Sequence, residues 1–93
     1  MDFYGQVSIE TAGRSGQVRV AIEGLCVQFY WEFGGGDCIA FVAVPDPERW
    51  LGAAPYSAYP RSDFLNGLAR EIARQECPGA RFEIGRDGVY FYA

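Results

Sequence analysis

The chain contains no histidine and no lysine, and its three cysteines, Cys26, Cys38 and Cys77, stand far apart with no Cys-x-x-Cys pair. Without histidine, every nucleophilic triad that uses an imidazole base is excluded. A zinc site would need a carboxylate as its fourth ligand, which is uncommon, so no metal and no cofactor are expected. An odd number of widely spaced thiols fits reduced cysteines in a cytoplasmic protein better than a disulfide framework. The opening Met1-Asp2-Phe3-Tyr4-Gly5 has neither a basic segment nor an apolar run, so neither a leader nor a membrane helix is read there. With all eight cations arginine, a GC-rich, bacterial coding sequence is the simplest source of the missing lysines.

Positive charge is also in deficit. The net charge is −4. Nucleic-acid binding draws on a basic stripe that displaces counterions, and none is present. An anionic membrane surface is disfavoured for the same reason. The acid surplus sits in residues 1–44, where Asp2, Glu10, Glu23, Glu32 and Asp37 face only Arg14 and Arg19. Such a surplus serves as a solubilising face or steers a basic partner.

What the chain does have is apolar and aromatic content, 49% and 16% of its 93 residues. That suffices for one core in a single domain, 1–93, without staples. Period-two alternation marks strands: Phe3, Gly5, Val7 and Ile9, then Val18, Val20 and Ile22, then Val27, Phe29, Trp31 and Phe33. Thr11 to Gly16 reads as a turn, and Gly24-Leu25 as a two-residue hairpin turn with glycine first. A fourth strand, Asp37 to Val44, follows a Gly34–Gly36 loop. It is apolar on both faces, and the bulkier Ile39 and Phe41 are assigned to the core.

Asp46 and Pro47 signal the start of a short helix. A long helix runs from Ser62, read as its N-cap, to Glu76, with Phe64, Leu65, Leu68, Ala69, Ile72 and Ala73 in one stripe. Strands Arg81–Ile84 and Val89–Tyr92 close the chain. The fold class is α+β: a single antiparallel sheet of about six strands in ββββ-α-α-ββ order, with one long amphipathic helix on one face.

One helix covers one sheet face, so the other carries the polar members of each strand. The alternation pairs Ser8 with Arg19 and Glu10 with Gln17, then Arg19 with Tyr30 and Gln17 with Glu32. Cys38 and Ala40 are placed beside Glu32 and Tyr30. Glu10, Gln17, Arg19, Tyr30 and Glu32 are therefore the candidate partner-binding set. The competing reading is a sheet face stabilised by Tyr–Arg and Tyr–Glu pairs alone.

Chemistry is weakly signalled. Cys38 beside Glu32 and Asp37 has an acidic setting, the reverse of what activates a thiol. Glu10 and Glu32 on one face make a pair of carboxylates of the kind acid–base catalysis uses, but such pairs on sheet faces are usually only solubilising. Gly34-Gly35-Gly36-Asp37 lacks the lysine and helix of a phosphate loop.

Two functional readings remain. The first is a non-enzymatic interaction domain whose acidic, tyrosine-bearing sheet face binds another protein, a basic one, as toxin-neutralising or accessory proteins do. The second is a small-molecule module with a pocket under the Trp50–Pro60 loop, walled by Trp50, Tyr56 and Tyr59. Trp50 alternatively pins the short helix. A homodimer through the outer face or an edge strand is compatible with either.

Overall fold

The computed structural model describes residues 5–22, 24–34, 38–52 and 56–92, together with their side chains except those of Leu25, Cys38 and Tyr56. Expectations for Phe3, the Gly35–Gly36 part of the loop, Asp37 and the Ala53–Pro55 stretch lie outside these residues. Six strands form one antiparallel sheet: β1 (Gln6–Ala12), β2 (Ser15–Ile22), β3 (Leu25–Phe33), β4 (Cys38–Ala43), β5 (Arg81–Ile84) and β6 (Gly88–Tyr92). Between β4 and β5 come the helices α1 (Pro47–Trp50) and α2 (Arg61–Glu76), with a 3-10 turn at Tyr56–Ala58. The sheet order is β1-β2-β3-β4-β6-β5, so β1 and β5 form its edges.

The alternation sorts the first strands as their pattern implies. Val18, Val20, Ile22, Phe29 and Trp31 are buried, and so are Phe64, Leu65, Leu68, Ala69 and Ile72 of α2. Phe33 keeps its place beside Trp31, with ring centroids 4.8 Å apart. It is nevertheless 41% exposed, at the end of the strand.

From Ala40 onward β4 reverses its expected sides. Ala40, Val42 and Val44 point into the core and Phe41 is only half-buried on the opposite face, whereas Ile39, at the register irregularity between Cys38 and Ala40, is half-buried and packs against the core as expected. Pairing decides this: Trp31 faces Val42 and Phe33 faces Ala40, so residues in phase with the inward Trp31 must also point inward. Small residues there leave room for the Trp31 and Phe91 rings. The bulk of Phe41 is accommodated outside, against Gly88.

The turns also differ in detail. β1 and β2 run on to Ala12 and from Ser15, so Gly13-Arg14 alone makes their turn, with Gly13 at φ 67°. Ile22 faces Leu25, which moves the second turn one residue earlier than Gly24-Leu25; Gly24 has φ 81°. The helix α2 begins at Arg61 rather than Ser62, and no side chain caps it. The Phe64 N–H bonds to the Pro60 carbonyl instead (2.9 Å).

Arg61 holds this end of the molecule together. Its Nε donates to the Pro45 carbonyl (3.0 Å), and its Nη2 donates to the carbonyls of Gly85 (2.9 Å) and Arg86 (2.8 Å). A cation at a helix N-terminus opposes the helix dipole. Three carbonyls offset that here while tying α2 to both neighbouring loops. Desolvation holds the Arg61 pKa below the usual arginine range. Nearby, Arg86 grips Glu48 through both carboxylate oxygens (3.0 and 2.8 Å).

Candidate functional site

The helices cover one side of the sheet, and the other side faces solvent. Glu10 faces Gln17, and Gln17 faces Tyr30, in one row across three strands. Ser8, Arg19 and Gln28 make the next row. On the other flank, Ser15 faces Glu32, Glu32 faces Phe41, and Phe41 faces Tyr90.

The β1–β2 register is the expected one. The β2–β3 register is shifted by two residues, so Arg19 faces Gln28 rather than Tyr30, and Gln17 faces Tyr30 rather than Glu32. A shift of two keeps every side chain on its face. Glu10, Gln17, Arg19, Tyr30 and Glu32 therefore share the solvent side in a new arrangement. Phe41, rather than Cys38, lies beside Glu32, and the Cys38 backbone pairs with Tyr92 instead.

Tyr30 is 49% exposed and is the aromatic centre of this surface. Its hydroxyl donates to Glu32 Oε2 (2.9 Å). That bond, with some desolvation and the negative charge of Glu32, holds the phenol above its ordinary pKa, so it stays a donor. Arg19 bridges diagonally to Glu10, Nη1 to Oε1 2.9 Å. Its Nε is buried with no hydrogen-bond partner among the described residues.

Two shallow depressions flank Tyr30. One, of about 460 Å³, is lined by Glu10, Ser15, Gln17 and Arg19 with Tyr30. The other, of about 300 Å³, is lined by Gln28, Ala43, Pro45 and Arg49 with Tyr30. The second owes its floor to β4, whose outward side the pattern of bulk assigns to the core. Ala43 is small, and its place in that floor is not legible in the alternation.

The tryptophan–tyrosine set is arranged otherwise. Trp50 is buried, donates from Nε1 to the Tyr59 carbonyl (3.0 Å) and meets the Phe64 ring edge-on at 5.2 Å. It pins α1 and the Tyr59 backbone onto α2. Tyr59 is half-buried, 5.8 Å from Phe64 between ring centroids, and the Tyr56 side chain lies outside the described residues.

Cys26 is exposed on the tyrosine face. The Cys77 thiol is pushed up by burial and by Glu76, which disfavours the reactive thiolate. Among the described residues no three His, Cys, Asp or Glu side chains are grouped to hold a metal ion. No described helix is long and apolar enough to cross a membrane. Compared with protein-family models, curated proteins and solved structures, the chain matches none of them.

Proposed function

We propose that the chain is a non-enzymatic protein-interaction domain whose solvent-facing sheet surface receives a basic partner protein. The position of Tyr30 carries this reading: a half-exposed ring between two depressions, its hydroxyl oriented by Glu32. Tyrosine offers a large apolar contact area with a polar tip and few rotatable bonds, which is why it is enriched at interfaces. Around it stand Glu10 and Glu32 with the guanidiniums of Arg19 and, in the second depression, Arg49, in a chain of net charge −4. The acidic surplus of the chain as a whole favours the approach of a basic partner and disfavours acidic ones. Neutralising a basic toxin inside a bacterial cytoplasm is one concrete instance.

The experiment is immobilised capture from an extract of the source cells. The wild-type chain and the Glu10→Lys/Glu32→Lys variant are compared at low and high ionic strength, and the retained proteins are identified. The proposal expects a basic protein held by the wild type at low salt, released by salt and lost by the variant. A partner indifferent to both changes contradicts it.

A further inference from the structure

Among the described residues the sheet ends on β5, paired on one side with β6 and open on the other. The Gly85 N–H donates to the Gly88 carbonyl (2.8 Å), which closes the β5–β6 hairpin and sets its phase. Counting back two residues at a time, Arg81 and Glu83 direct their backbone groups to β6, whereas Phe82 and Ile84 direct theirs to the open edge. The side chains of Arg81 and Glu83 are exposed on the solvent face. Those of Phe82 and Ile84 are half-buried on the helix face. At the opposite edge, by contrast, the Val7 carbonyl of β1 already accepts a bond from Gln75 Nε2 of α2 (3.0 Å).

We propose that β5 pairs antiparallel with β5 of a second copy about a twofold axis at Phe82. The phase of the open groups requires Phe82 to face Ala80, Phe82 or Ile84 of the partner. Facing Ala80 sets Arg81 against Arg81. Facing Ile84 sets Glu83 against Glu83. Like charges directly opposite each other destabilise a strand pair. Facing Phe82 sets Arg81 against the partner's Glu83 and Glu83 against the partner's Arg81, so two opposite-charge pairs form in the one register.

The backbone fits that register too. Phe82 exchanges both of its bonds with the partner's Phe82. The Ile84 N–H then reaches the partner's Ala80 carbonyl. The Ala80 N–H is not needed and is already bonded to the Cys77 carbonyl (3.0 Å). On the helix face, the half-buried Phe82 and Ile84 of the two copies cover one another. The axis is perpendicular to the sheet, so both tyrosine-bearing faces lie on the same side and form one continuous surface.

Short edges associate weakly. The test is therefore the mass of the full chain by light scattering or sedimentation, in a dilution series into the millimolar range. The mass is expected to rise with concentration from 10.3 kDa toward twice that value. Arg81→Glu alone sets the new carboxylate against the partner's Glu83, and Glu83→Arg alone sets the new guanidinium against the partner's Arg81. Each is expected to raise the dimer dissociation constant at least about tenfold. An equimolar mixture of the two variants recovers the dimer, as does the double variant Arg81→Glu/Glu83→Arg. Both positions are exposed, and circular dichroism checks that each variant is folded. A wild-type mass fixed at 10.3 kDa throughout overturns the proposal. So does a dimer that ignores the single reversals, or variants that fail to recover on mixing.

Discussion

The ring of Phe41 lies against the backbone of Gly88, in the space a β-carbon at residue 88 would occupy. The two residues sit on neighbouring strands, and Phe41 also contacts the Tyr90 ring at 4.9 Å between centroids. Gly88→Ala is therefore expected to displace the Phe41 ring and destabilise the fold by about 1–3 kcal/mol, as overpacking does. Denaturant unfolding measures the loss. Phe41→Ala added to Gly88→Ala should cost less than the sum of the two single changes, because the clash with the ring is then gone and only that with the Val42 carbonyl remains.

Gly16 occupies the matching position on the helix side of the sheet. A β-carbon there would meet the Glu10 carbonyl and would come within 2.8 Å of Trp31 Nε1. The bare backbone lets the indole lie across β2, with Nε1 3.4 Å from the Glu10 carbonyl. Gly16→Ala is expected to destabilise by about 2–3 kcal/mol and to change the tryptophan fluorescence. An unaltered melting temperature and spectrum would show that the indole is not held there.

Arg61 is expected to be irreplaceable by lysine, whose single ammonium cannot span the Pro45, Gly85 and Arg86 carbonyls together. Arg61→Gln and Arg61→Lys should each cost about 2 kcal/mol, the scale of charge-assisted bonds. Amide exchange should quicken locally in residues 85–88. A loss spread evenly over the molecule would argue against a clamp.

Asp46 accepts the Arg49 N–H (2.8 Å), and chiefly that bond holds its carboxyl below the usual aspartate range. A lowered folded-state value means the contribution is complete above that range and is lost as pH falls through and below it. The wild type should therefore lose stability on acidification through that window. Asp46→Asn, which keeps an acceptor but no titrating group, should lose less over the same window. Asp46→Ala should be less stable at neutral pH. Melting temperatures against pH for the three proteins check this.

The fold was legible where alternation was strong and opaque where it was absent. Val18, Val20, Phe29 and Trp31 alternate with polar residues, so their faces and the whole ladder from Ser8 opposite Arg19 follow from pattern alone. At the second hairpin, Gly24 marks the turn without saying which of its two positions it fills, and the register moved by two while the faces survived. β4 carries no polar residue from Cys38 to Ala43, and side-chain size pointed the wrong way at Phe41. Its orientation depends on which residue meets Trp31, a contact 11 positions distant in the chain. The Arg61 clamp joins carbonyls up to 25 residues away, which no local pattern encodes. Likewise, Tyr30 and the four residues around it could be gathered on one face from period two, but the depression floored by Ala43 depends on β4 and stayed hidden.

The interaction surface itself is tested most directly by the affinity of the captured basic partner for two single variants. Tyr30→Ala removes the exposed ring at the centre of the sheet face, and Arg70→Ala alters the solvent side of α2. Tyr30→Ala should weaken binding by at least about tenfold, the scale of an interface anchor, with Arg70→Ala unchanged. Equal affinity for Tyr30→Ala and wild type, with the loss falling on Arg70→Ala, would place the partner on the helix side and contradict the account.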